Sequence, residues 1–164
     1  SGAQGPFLLS VLERLLPDVN DRRRCLTRSF FISVDNAHAV HPNFADRHDK
    51  GHLPRLNGGP VIKYNAGQRY ATSSRSGALY RILAERAGVP IQEFVMRSDL
   101  ACGSTIGPLT AAAHGVAAVD IGVPTLAMHS IRELAGASDP WHLALSLRTF
   151  FGTPDDDPAW QCLG

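Results

Sequence analysis

Phe30-Phe31-Ile32-Ser33-Val34-Asp35-Asn36-Ala37-His38-Ala39-Val40-His41-Pro42 is an apolar run that ends on a carboxylate and passes at once into histidines. Its aromatic and β-branched content predicts a buried strand over residues 30–35. A second apolar run ends in Leu126-Ala127-Met128-His129-Ser130. A carboxylate and an imidazole leaving strand ends are donors suited to zinc and its neighbours in the series. Two donors do not close a metal site. The residues alone leave a second reading open for each: Asp35 as a turn-forming residue after the strand, and His129 as an imidazole satisfied by backbone.

Outward from that stretch, strands and helices alternate. Phe7, Leu8, Val11, Leu12, Leu15 and Leu16 recur at helical spacing and predict a helix over 5–16, stopped by Pro17. The basic run Asp21-Arg22-Arg23-Arg24 reads as a solvated surface turn, with a phosphate or partner contact as the alternative. Residues 41–59, rich in His, Asp, Asn, Gly and Pro, read as a long loop. Strands are expected at 60–65, 93–97, 117–122 and 124–129. Helices are expected at 73–87, capped by Ser74 or Ser76, at 104–114 and at 140–151. The acidic stretch Asp155-Asp156-Asp157-Pro158 predicts a frayed tail over 153–164. The alternation gives an α/β class with a mainly parallel central sheet. Ligands in such sheets bind beyond the carboxyl ends of strands.

Bulk properties exclude several classes. The 164 residues are 44% hydrophobic and 19% charged, which fits one globular domain and not a disordered chain. A net charge of +1 offers no field to draw in nucleic acid or an anionic membrane. No apolar stretch approaches the ~20 residues of a membrane span. Cys25, Cys102 and Cys162 lack CxxC spacing, so neither a disulfide framework nor a thiolate zinc site is expected; the setting reads as reducing and cytoplasmic. No signal peptide opens the chain and it does not begin with Met, so its start is expected to be processed or cut.

Other candidates carry competing readings. His38, His41, His48 and His52 suggest a histidine-rich metal site, although loop histidines also serve as ordinary hydrogen-bonding groups. Cys102-Gly103-Ser104-Thr105-Ile106-Gly107-Pro108 reads as a strand-to-helix turn whose amides sit at a helix N-terminus. Cys102 or Ser104 as nucleophile with His129 as base would make a cysteine or serine hydrolase, but the GxSxG elbow is missing. Lys63 ends the run Val61-Ile62-Lys63; it is either solvated or selects an acidic substrate.

Six segments in register resemble the aspartyl aminopeptidase family of zinc metallopeptidases. They are Phe31-Ile32-Ser33-Val34-Asp35, then Ala37-His38-Ala39-Val40-His41-Pro42-Asn43, Gly59-Pro60-Val61-Ile62-Lys63, Gln68-Arg69-Tyr70-Ala71, the Cys102 to Pro108 turn, and Ala127-Met128-His129-Ser130-Ile131-Arg132-Glu133. The resemblance implies a three-layer α/β/α zinc-peptidase-like catalytic domain, of which residues 1–152 are the C-terminal part. It implies two zincs per active site, with cobalt or manganese possible, bound in the order His, bridging Asp, Glu-Glu, Asp, His. Asp35 and His129 match the last two ligands, on different zincs. Lys63 matches the residue that contacts an acidic substrate side chain. Tyr70, Gly103, Ser104 and Met128 match the substrate pocket.

The earlier ligands and the general-base Glu would precede Ser1, so no catalytic residue is expected in this chain. The opening Ser1-Gly2-Ala3-Gln4-Gly5 resembles the helix that follows the Glu-Glu pair. The family's substrates are peptides with an N-terminal Asp or Glu, and its assemblies are homo-dodecamers. An inserted dimerisation domain is absent here. The expectation is a portion of such an enzyme, inactive without its upstream residues. The alternatives are a non-catalytic, self-associating piece and the cysteine or serine hydrolase.

Overall fold

The computed structural model describes residues 5–164. Residues 1–4, most of the opening that resembles the helix just after the Glu-Glu pair, lie outside the described residues. Five strands form one sheet: β1 (Phe30–His38), β2 (Val61–Tyr64), β3 (Gln92–Val95), β4 (Ala117–Leu126) and β5 (Leu134–Ala135). The order is β1-β4-β2-β3, with β5 also paired to β4. β1 runs parallel to β4 from Phe30↔Ala117 to His38↔Thr125, and β2 runs parallel to β3. The β2–β4 and β4–β5 pairings are short and antiparallel. The central sheet is therefore mostly parallel, as expected.

Residue alternation divides the two faces. Ile62, Val119 and Ile121 pack with Tyr80 of α3 (Ser74–Arg86) and Leu143 of α5 (Asp139–Gly152). Ala37 and Val61 pack on the other face with Tyr70, Phe94 and Cys102. That face also receives α4 (Ile106–His114), whose Gly107 lies against the Asp120 carboxylate. The result is the expected three-layer α/β/α arrangement. Asp35, Lys63 and Asp120 share sequence parity with Ala37, Val61 and the second face.

Four sequence expectations change. The basic run is not a surface turn but part of α2 (Val19–Thr27), for the Asp18 carboxylate accepts from the Asn20 and Asp21 amides and caps it. The predicted strands at 117–122 and 124–129 are one strand. Gly122 is needed because a Cβ there would stand 2.2 Å from the Asp35 carbonyl oxygen. Pro124 falls in the stretch of β4 that pairs with neither β2 nor β5, where that flank needs no proline N–H. Ser73, not Ser74 or Ser76, is the α3 cap, with Ser76 completing a capping box.

The frayed tail is also corrected. Asp157 caps a 3-10 turn over Pro158–Leu163 and pairs with Arg86 at 2.9 Å. Ala159 is buried with Leu79 and Leu83 of α3. The long loop is likewise fastened: the fully buried Asp139 accepts from the Asn57 amide at 2.7 Å and the Gly59 amide at 2.9 Å. The first helix, α1 (Phe7–Leu15), forms as its periodicity requires, yet buries no residue.

Candidate active site at the ends of β1 and β4

Parallel pairing brings the carboxyl ends of β1 and β4 to one edge of the sheet. Asp35 sits opposite Gly122, exposed, with Oδ1 accepting from the Asn36 amide at 2.7 Å. β4 ends in a tight turn closed by the Ser130 amide donating to the Ala127 carbonyl at 3.0 Å. Ala127 (φ 54°) and His129 (φ 68°) occupy the left-handed region there. Such a conformation is unfavourable for residues with a Cβ and persists only where its surroundings impose it. It presents an exposed imidazole beyond the strand end. Asn36 links the two segments, its side chain donating to Glu133 at 2.9 Å.

Lys63 is only 2% exposed, which overturns the solvated strand-end reading. Its Nζ donates to the Asn36 carbonyl at 3.2 Å and lies 5.2 Å from the centre of the Tyr70 ring, a cation–π contact. Burial lowers its pKa, while the carboxylates of Asp35 and Asp120 act to raise it. Tyr70 is buried too; burial, then a hydrogen bond with Cys102, pushes its hydroxyl well above the ordinary range.

His38, at the end of β1, joins this neighbourhood. Burial lowers its pKa first, then the charges of His48, Lys63 and His129, with Asp35 opposing. Its nearness to Asp35 and His129 was hidden by the histidines that follow it. Those have local roles instead. His41 Nδ1 accepts from the Asn43 amide and starts a 3-10 turn. His48 lies edge-on to Phe94 with Nδ1 unpartnered. His52 pairs with Asp49 at 2.6 Å.

Gly103 and Ser104 are exposed in the turn before α4, and a side chain at Gly103 would meet open space. Met128 is half-buried beside His129. No hydrogen bond among the described residues joins Cys102 or Ser104 to His129. The residue missed entirely is Asp120. It gave the same signal as Asp35, a carboxylate inside an apolar run, Val116-Ala117-Ala118-Val119-Asp120-Ile121. It is fully buried and binds two loops at once.

Asp35 and His129 offer the oxygen and nitrogen donors zinc prefers. Among the described residues, however, no three His, Cys, Asp or Glu side chains converge on a metal position. These donors fit part of a zinc site and not a whole one.

A family model described as aminopeptidase I zinc metalloprotease (M18) matches residues 1–151. The probable M18 family aminopeptidase 2 of Stutzerimonas stutzeri (strain A1501) is 58% identical over 154 residues, which are 94% of this chain and 36% of that protein. A chain in the cryo-EM structure of the Ape4 and Nbr1 complex superposes with a TM-score of 0.87 at 44% identity, over 92% of this chain and 29% of that one. The S. cerevisiae mApe1 dodecamer gives 0.82 at 29% identity, over 99% and 36%. Fold and relatives together define a peptidase. The chain belongs to the M18 family of aminopeptidases. It spans about a third of the length of the curated relatives it matches. No helix among the described residues is long and apolar enough to cross a membrane.

Proposed function

We propose that this chain is the C-terminal portion of a zinc aminopeptidase that removes N-terminal Asp or Glu from peptides in the cytoplasm. The carrying observation is the buried Lys63 ammonium, held under Tyr70 beside Asp35. A desolvated cation next to donors for a metal suits recognition of a carboxylate within reach of a hydrolytic centre. Asp35 and His129 would each hold a zinc. Zinc, when bound, supplies Lewis acidity and a water of lowered pKa. Lys63 would pair with the substrate's side-chain carboxylate, with Tyr70, Gly103, Ser104 and Met128 shaping the pocket. The left-handed turn would keep the His129 imidazole aimed past the strand end.

Alone, the chain should not turn over, because the remaining ligands and the general base lie outside it. Two further observations support this. β1 is an edge strand nine residues long, and α1 leaves Phe7 79% and Leu15 70% exposed. An unpaired strand edge and an exposed apolar helix each suit burial against the rest of a catalytic domain. The complete enzyme would be a homo-oligomer, as the mApe1 dodecamer is.

The test is elemental analysis of the dialysed chain beside the complete enzyme, with hydrolysis of N-terminal Asp peptides measured on both. The chain should retain no stoichiometric zinc and no activity, and the complete enzyme both. Two tightly held zincs in the chain alone would refute the reading.

A further inference from the structure

We propose that Asp120 is a positioning residue, whose single buried carboxylate holds the Tyr70 loop and the Cys102–Thr105 turn against Lys63 and so sets the shape of the pocket for the substrate's acidic side chain. The inference rests on the acidic-substrate reading above. Oδ2 accepts from the Ala71 amide at 2.5 Å, and Oδ1 accepts from the Thr105 hydroxyl at 2.7 Å. The Asp120 amide donates to the Thr72 hydroxyl at 2.9 Å, adding a second clasp to the same loop. Ala71 directly follows Tyr70, whose ring covers Lys63. Thr105 directly follows Gly103-Ser104 and precedes α4. One side chain on β4 therefore fixes two segments that lie some thirty residues apart in sequence and also touch through Tyr70 and Cys102.

The site is built around that charge. Asp120 is fully buried, and no Arg or Lys among the described residues forms an ion pair with it. An unpartnered buried carboxylate would be very costly, so the two donors are needed by the fold as well as by the loops. A Cβ at Gly107 would come within 2.3 Å of Oδ2, so glycine lets the positive end of α4 close on the carboxylate. Lys63 adds its field from the neighbouring strand.

Asp139 supplies the control. It too is fully buried and accepts from two backbone amides, but those belong to Asn57 and Gly59, in the loop preceding β2 and apart from the Tyr70 and Cys102 segments. A merely structural carboxylate should behave like Asp139.

The experiment compares Asp120→Ala, Asp120→Asn, Thr105→Val and Asp139→Asn in the complete enzyme, with KM and kcat measured on N-terminal Asp and Leu peptides. Asp120→Ala should raise KM for the Asp peptide about tenfold and cut the Asp:Leu ratio of kcat/KM by about as much, given two lost charge-assisted hydrogen bonds. Asp120→Asn should restore most of this, since its amide can accept from Ala71 and donate to Thr105. Asp139→Asn should lower the thermal midpoint and leave the ratio unchanged. If Asp120→Ala does not fold, Thr105→Val removes one tether and should shift the ratio by about threefold. An unchanged ratio in Thr105→Val and Asp120→Ala overturns the proposal.

Amide exchange at Ala71 in the 164-residue chain reads the tether without any substrate, and should quicken in Asp120→Ala and not in Asp139→Asn. A wild-type enzyme with no acidic preference overturns the proposed specificity; the tether then stands or falls on Ala71 exchange alone.

Discussion

Around α3 the protein is closed: Leu79, Tyr80 and Leu83 are fully buried, and even the C-terminal 3-10 turn contributes Ala159 to their contacts. Around α1 it is open: five apolar side chains of one helix face solvent, and β1 next to α4 offers an unpaired edge. The exposed helix α1 is the more apolar of the two, so composition alone does not say which helix is buried. What separates them is which partners lie within these residues. The closed region is where stability resides, and the open region, which includes Asp35, is where the chemistry is expected. Substitutions should therefore fall into two classes: those that unfold the chain, and those that spare it but disable the complete enzyme.

The strongest way to break this division is to remove a proposed zinc ligand. Asp35→Ala or His129→Ala in the complete enzyme should cost more than the ~100-fold typical of residues that merely support ligands. Both side chains are exposed, so the thermal midpoint of the 164-residue chain should hardly move. Steady-state hydrolysis of an Asp peptide and a melting curve of the chain decide together. A full loss of activity that tracks a fall in midpoint would dissolve the distinction.

Leu83→Ala is the mirror image. Deleting a fully buried leucine should destabilise the chain by about 2–5 kcal/mol. The urea midpoint reads this directly. At a temperature where the variant stays folded, the complete enzyme should keep the wild-type ratio of kcat/KM values for Asp and Leu peptides.

How far the sequence showed this division follows from the physics of each signal. Asp35 and Lys63 were legible as candidates because each ends an apolar run, where a charged side chain leaves a strand end. Asp120, inside such a run, had no histidines beside it to draw the eye. The strand β1 and helices α3 and α5 were legible from periodicity. α2 was not, because its stability comes from a cap and backbone bonds and it has no apolar stripe. β4 was split by Gly122 and Pro124, whose tolerance depends on where β2 and β5 stop, a fact of tertiary pairing. β5, two residues long, has no pattern to read. The tail looked solvated from three aspartates, yet one of them caps the turn that docks Ala159. Above all, burial of Lys63 depends on Tyr70 folding over it.

Lys63→Met sharpens the comparison from within the site. Losing the charge-assisted bond to the substrate carboxylate should cost about 1.5–3 kcal/mol, or about 10- to 150-fold in kcat/KM on Asp and Glu peptides. Leu peptides, which lack the carboxylate, should lose little. Because Lys63 is buried, methionine also removes a desolvated cation, and the chain should be no less stable. A ratio of kcat/KM values for Asp and Leu peptides equal to wild type would assign acidic selectivity to another residue.

The smallest effect concerns acid and the tail. Bonding to the Ala159 amide, then to Arg86, holds the Asp157 carboxyl below its ordinary value of 3.8. A carboxylate with a depressed folded pKa adds stability that is present above the unfolded value and is lost as pH falls through the folded one. Docking of the tail should thus be constant at neutral pH and weaken only below about pH 4, the range of unperturbed aspartate. Trp160, which donates to the Pro154 carbonyl at 2.7 Å and stacks edge-on with Phe150, reports it by fluorescence. Asp157→Asn should abolish that acid-dependent change and leave the Asp35 and Lys63 phenotypes untouched, because neither residue is among those packed around the tail. A Trp160 signal that titrates the same way in Asp157→Asn would move the acid sensitivity to another carboxylate.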